Sequence, residues 1–208
     1  VYNKFINFIK EKNFKGTKEC HHKYISNYYA AEFCDKREEE LIFVEIGVRG
    51  GFDLAMFADW FHKSEVFGID IKESFKNSKN NIPESEWGSY DLSIEELNNC
   101  HFILGNGYDD KIVNFFGDET IDYLIDDGSH VLNDQLKCIE KYFNKIKKGG
   151  KIIIEDVGCH ELTSNPCPNK CIESIFNKAE ELGCTARVYD LTEITKIKFS
   201  IIIEITKR

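Results

Sequence analysis

The run LIFVEIGVRGGFD, residues 41–53, is the most informative segment of this chain. Six residues of near-continuous hydrophobicity carry one acid, Glu45; Gly47, Gly50 and Gly51 follow at once, and an apolar helical pattern opens at Phe52. A short apolar run of this kind fits a strand buried on both faces. Glycines between such a strand and a helix make a turn that lets a ligand approach the backbone at the helix N-terminus.

The same cadence recurs downstream in VFGIDI (66–71), HFIL (101–104), IDYLI (121–125) and KIIIE (151–155), with helical stretches expected at 52–63, 108–116, 131–147 and 169–182. Gly149 and Gly150 are suited to stop the third of these. Strands that alternate with helices imply right-handed crossovers and a parallel sheet covered on both sides. The ending differs: ARVYDL (186–191) and KIKFSIIIEI (196–205) lie too close for a crossover helix, so an antiparallel hairpin at the sheet edge is expected. Upstream, Tyr2, Phe5, Ile6 and Ile9 form one helical stripe and Tyr24, Ile25, Tyr28 and Tyr29 a second, with a break at Gly16. The expected architecture is one α/β domain: a doubly wound, mostly parallel seven-stranded sheet over 41–208, with an N-terminal helical segment, 1–40, packed on it.

Composition agrees with one core. The 208 residues are 42% hydrophobic with only three prolines, which excludes disordered and collagen-like chains. A net charge of −9 opposes non-specific attraction to polyphosphate or anionic lipid, so neither nucleic acid nor membrane is an expected partner. No apolar run approaches the ~20 residues of a membrane-spanning helix, and the N-terminus is too broken by charge for a signal peptide. Eight cysteines without paired metal-type spacing, Cys159, Cys167 and Cys171 included, read as free thiols of a reducing, cytoplasmic protein. The chain begins at Val1 and its single methionine is Met56, as expected of a domain excised from a longer polypeptide.

Three groups of residues carry chemistry. Asp70, at the end of the second sheet strand, stands where a carboxylate accepts the ribose hydroxyls of an adenosine-containing cofactor. IDYLIDDGSH sets Asp126, Asp127 and His130 past one strand, and KIIIEDV sets Glu155 and Asp156 past the next. Neighbouring strands lie ~4.8 Å apart, so these carboxylates can converge on one hard divalent cation, magnesium rather than zinc. Left together with neither a cation nor a basic partner they would repel one another. His130 is positioned to take a proton from a substrate hydroxyl near neutral pH.

Together these motifs resemble the class I S-adenosylmethionine-dependent methyltransferases, which have a Rossmann-like fold, and within them the metal-dependent sugar O-methyltransferases of macrolide biosynthesis. E-I-G-x-x-x-G, the ribose Asp, I-D-D-G-S-H and I-E-D carry the resemblance, and GTKECHHKYISNYY resembles that family's opening segment, with Glu19 and Cys20 where the family has other residues. The resemblance implies S-adenosylmethionine and Mg²⁺ as cofactors, Asp127, Glu155 and Asp156 as metal ligands, and His130 as general base acting beside Asp127. It implies cofactor contacts from Glu45, Gly47, Gly51, Asp70, Asn106 and Asp126, with Thr17, His22 and Tyr24 either closing over the cofactor or serving only helix packing. Asn106 and Tyr108 depart from the family's usual residues there.

The activity so implied is methylation of a sugar hydroxyl, such as that of a deoxyhexose in a glycan or glycoside. A catechol-like natural product is the alternative substrate and an inactive cofactor-binding scaffold the non-enzyme alternative. A dinucleotide oxidoreductase would share the glycine turn and Asp70 but gives the later carboxylates no role. A fused glycosyltransferase or other glycan-building domain would suit an excised piece, and the N-terminal helices could dock such a domain or a second subunit in a homo-oligomer. Residues 72–92 read as a candidate lid, and Trp87, Tyr90 and His160 as candidate walls of the substrate site.

Overall fold

The computed structural model describes residues 3–74, 88–90, 92–158 and 168–208. Trp87, His160, Cys159, Cys167 and most of the 72–92 stretch lie outside them.

A seven-stranded sheet runs through the molecule. In chain order its strands are β2 (Ile42–Ile46), β3 (Glu65–Asp70), β5 (Cys100–Leu104), β6 (Ile121–Asp126), β7 (Ile146–Ile154), β8 (Thr185–Asp190) and β9 (Ile201–Thr206), arranged β5-β3-β2-β6-β7-β9-β8. The first five are mutually parallel; β9 is antiparallel to both β7 and β8. The expected C-terminal hairpin is present, but β9 is inserted beside β7 and β8 forms the edge. A two-residue ribbon pairs β1 (Lys15–Gly16) with β4 (Gly88–Ser89).

Alternate residues of each strand feed two separate cores, which is why the strands read as unbroken apolar runs. Phe43, Ile125, Ile153 and Ile202 face the N-terminal helices, among them α1 (Lys4–Glu11) and α3 (Ala30–Phe33), and helix α4 (Phe52–Trp60). Val44, Leu124, Ile152 and Ile203 face α5 (Asp110–Val113), α6 (Leu132–Tyr142) and α7 (Pro168–Glu181). Residues 3–40 thus form a covering layer on the sheet.

Local boundaries differ from the sequence reading for identifiable reasons. The helix expected over 131–147 ends at Tyr142, because Lys145 O accepts the amides of Thr120 and Ile121 and draws Ile146 into β7. That over 108–116 is one turn, Asp110–Val113. The strand expected from 196 begins at Ile201, since a short helix α8 (Thr192–Thr195) and Lys196 in the left-handed region (φ 60°) make the hairpin connection. The second N-terminal stripe holds a π-helical turn, Ile25–Tyr29, that runs into α3. Six described cysteines are free thiols, and among the described residues no helix is long and apolar enough to cross a membrane.

Phe33 fastens the N-terminal layer. Fully buried, its ring lies 5.0–6.1 Å from those of Phe5, Tyr29, Phe43, Phe57, Phe61 and Tyr123. Phe33→Ala should therefore cost about 3–5 kcal/mol of stability, measured by urea denaturation.

Candidate active site

Strand order reverses between β2 and β6, so a crevice opens outside their carboxyl ends. Glu45 pairs with Ile125 in register, and Ile125 with Ile153, which places these three on one face. Asp127 and Glu155 stand two residues further on, toward that same side. Opposite them the chain crosses β1 and enters a short helix, α2 (Thr17–Cys20), which delivers Lys18. Gly16 makes this approach feasible: a Cβ there would sit 2.3 Å from the Phe14 ring and 2.6 Å from Asp53 Oδ1.

Lys18 is buried at 1% exposure, its Nζ 2.6 Å from Asp127 Oδ2, 2.6 Å from Glu155 Oε2 and 3.3 Å from Glu45 Oε1. Burial alone would lower its pKa, yet the charges of Asp127, Glu155, Glu45 and Asp53 together hold it well above the usual lysine value. Burial likewise works against Asp127, but Lys18 and His130 hold its carboxyl well below the usual range. Burial pushes Glu45 and Glu155 up, the charge of Asp127 adding and Lys18 opposing. Lys18 is the basic partner that the clustered acids require, and the sequence reading missed it. The signal was the cluster itself: several acids converging on buried strand ends need a counter-charge from somewhere.

A second group forms beside this ion cluster. His130 Nε2 lies 3.0 Å from Asp127 Oδ1 and its Nδ1 lies 3.8 Å from Asp156 Oδ2. Tyr24 donates to Asp156 Oδ1 at 2.5 Å, and His22 Nδ1 is 3.3 Å from the same oxygen. Ligand atoms of Asp127, His130 and Asp156 all fall within 4.8 Å of one another, close enough to hold one metal ion. Glu155 is turned elsewhere, toward Lys18 and the hydroxyl of Tyr29, which donates to its Oε1. His130 (φ 58°), Asp156 (φ 52°) and Arg49 (φ 49°) all adopt the left-handed region that non-glycine residues avoid. All three line one cavity, where such backbone strain tends to collect.

That cavity, about 440 Å³, brings together most of the residues expected from sequence. Thr17 and Tyr24 form part of its wall, Glu45, Gly47, Gly51 and Asp70 line the glycine-turn side, and Asp127, His130, Glu155 and Asp156 the opposite side. Gly47 is required by packing: at φ +91° it lies so close to the next strand's turn that a Cβ would be 2.0 Å from Asp127 O. Asp70 clamps the glycine turn, accepting the amides of Arg49 at 2.8 Å and Lys72 at 3.0 Å. A second cavity of about 300 Å³ shares Gly47, Asp70 and Gly128 with the first and is lined by Asn106, Tyr108, Ile46, Ile69 and Ile71. Asp126 lines neither: strand alternation turns it to the opposite face, where its Oδ1 accepts from Tyr108 at 2.7 Å. Tyr90, expected as a substrate wall, packs on Phe14 and donates to Asp59.

Six carboxylates line the main cavity, from Glu45, Asp53, Asp70, Asp127, Glu155 and Asp156, against the cations Lys18 and Arg49. Replacing Lys18 by Met strands three buried acids and should cost about 3–5 kcal/mol near neutral pH. In the variant Glu45 and Glu155 titrate further above their unfolded values and Asp127 loses the charge that holds it down, so the folded state binds extra protons and stability falls as pH rises. The deficit should accordingly grow from about pH 5 to about pH 8 in urea denaturation.

Comparison with known proteins places the chain in a family. The chain is 27% identical over 141 residues to the mycinamicin VI 2''-O-methyltransferase of Micromonospora griseorubida, covering 62% of this chain and 30% of that protein. It is 26% identical over 141 residues to the demethylmacrocin O-methyltransferase of Streptomyces fradiae, covering 62% and 31%. The matches therefore span about a third of the length of these curated relatives. Among solved structures, MycE, a methyltransferase of mycinamycin biosynthesis in complex with Mg and SAH, superposes with a TM-score of 0.68 at 19% identity, over 100% of this chain and 56% of that one. Methanococcus jannaschii fibrillarin superposes at 0.61 with 16% identity, over 83% and 68%. Residues 44–157, from inside β2 to just beyond Asp156, match the family described as a methyltransferase domain, and the chain belongs to that family.

Proposed function

We propose that this chain is the catalytic domain of an S-adenosylmethionine- and Mg²⁺-dependent O-methyltransferase acting on a sugar hydroxyl. The observation that carries the reading is the cavity at the sheet's switch point, lined by the carboxylates of Glu45, Asp53, Asp70, Asp127, Glu155 and Asp156 against the cations Lys18 and Arg49. S-adenosylmethionine brings a sulfonium and an ammonium, and a divalent cation adds more positive charge, so all of these suit an acidic cleft. The pyrophosphate of a dinucleotide does not.

The residues fit both groups. Gly47 and Gly51 would leave room beside the turn for the cofactor's amino-acid end, Asp70 would meet its ribose, and the apolar second cavity, with Asn106, would take the adenine. Asp127 and Asp156, with His130 at the same point, supply hard oxygen donors suited to magnesium. Glu155, implied as a third ligand by the family resemblance, would have to release Lys18 or Tyr29 to join them. When bound, S-adenosylmethionine supplies the methyl group and magnesium the polarisation of a substrate hydroxyl.

The chain's own part is to hold and move a proton. With Nε2 bonded to Asp127, the His130 ring is fixed in orientation, and Nδ1 is the atom that would accept the hydroxyl proton. Asp127 takes part through its second oxygen as well, which ties the base to Lys18. A vicinal diol could offer two oxygens at this point, and the names of the relatives, mycinamicin VI 2''-O-methyltransferase and demethylmacrocin O-methyltransferase, support a glycoside substrate.

Calorimetric titration with S-adenosylmethionine, S-adenosylhomocysteine and NAD, with and without Mg²⁺, tests the cofactor class; binding of NAD alone would reject it. His130→Ala should lower turnover about 10²-fold or more with cofactor affinity nearly unchanged. Equal loss of both would reject the base. Asp127→Ala or Asp156→Ala should abolish Mg²⁺-dependent turnover, and full activity of either variant in EDTA would reject the metal site.

A further inference from the structure

Asp53, second residue of α4, adds its charge to the acids around Lys18 but has no other part in the machinery described so far. It lines the main cavity next to the glycine turn, as does Glu45. Asp53 Oδ1 and Glu45 Oε2 are both shut off from solvent, and neither has a hydrogen-bond partner among the described residues. The side chain of Glu45 is almost wholly buried. Gly16 roofs Asp53 so closely that a Cβ there would lie 2.6 Å from Oδ1.

Lys18 does not satisfy this pair. Its hydrogen bonds go to Asp127 Oδ2 and Glu155 Oε2, and its ion-pair contact with Glu45, at 3.3 Å, is to the other oxygen, Oε1. Two sealed carboxylate oxygens without donors are a costly arrangement that a bound cationic donor would relieve. A metal ion is the poorer candidate, because Asp127, His130 and Asp156 already form the cavity's metal-competent group. A primary ammonium, small and with three N–H bonds, matches an acceptor pair at the amino-acid end of the cleft.

The geometry points to Asp53, acting with Glu45, as the receptor for the α-ammonium group of the cofactor's amino-acid moiety, sealed by the Gly16 backbone. This rests on the S-adenosylmethionine reading above and adds Asp53 to it. It also explains why the chain passes over α4 at a glycine. The segment before α2 would then form a wall of the amino-acid subsite as well as carrying Lys18.

The test is calorimetry on the full chain with two ligands, S-adenosylhomocysteine, which carries the ammonium, and 5′-methylthioadenosine, which lacks the whole amino-acid end. Asp53→Asn should weaken S-adenosylhomocysteine about tenfold or more, and leave 5′-methylthioadenosine within about twofold of wild type. Asp53→Ser, measured alongside, should do the same, and deaminated S-adenosylhomocysteine should bind wild type and variants alike. Wild-type affinity of both variants for S-adenosylhomocysteine, or an equal loss of both ligands, would overturn the Asp53 assignment alone. Failure of the wild type to bind either ligand would overturn the cofactor reading, and this assignment with it.

Discussion

One ammonium group organises the catalytic end of this domain. Lys18 reaches from the N-terminal layer to acids at the ends of three adjacent strands, β2, β6 and β7. Burying a charge is expensive unless it is paired and hydrogen-bonded, and here each contact is with an opposite charge. Without Lys18, Glu45, Asp127 and Glu155 would repel one another across neighbouring strands. With it, the strand ends can close around a cleft, and residues 17–24 become part of the site. Phe33 secures the same layer from below by ring packing, so apolar and ionic contacts act at opposite ends of one interface.

The pairing leaves an uneven distribution of charge, and that unevenness gives the cleft its chemistry. Glu155 and one oxygen of Asp127 are committed to Lys18, whereas Asp156 and the other oxygen of Asp127 face His130. Ion pair and histidine are therefore joined through a single carboxylate. His130 and Asp156, both with left-handed backbone, line the cleft just past the ends of β6 and β7. Fold alone does not identify a chemistry. What is particular to this cleft is the set of acids gathered around the switch point.

Much of this was legible in the linear chain. The apolar runs marked every strand of the main sheet, and the glycine turn, Asp70, Asp127, His130 and Asp156 stand at one cavity as their positions past strand ends implied. Asp126 could have been set apart from Asp127 by alternation alone, since neighbours on a strand point to opposite faces. Ile146 could not have been assigned to β7, because its place depends on backbone bonds between Lys145 and residues 120 and 121.

Sequence by itself determined the layered α/β fold and the set of chemical groups at the carboxyl edge, because hydrophobic period and glycine placement are local properties written in neighbouring residues. Only tertiary structure decided how those groups are partnered. Lys18 is separated by 109 residues from Asp127 and 137 from Glu155, and nothing in GTKEC distinguishes a buried lysine from a solvated one. Which carboxylate meets an ammonium, which meets a histidine and which is sealed without a donor is settled by chain segments distant in sequence that pack into the same few ångströms.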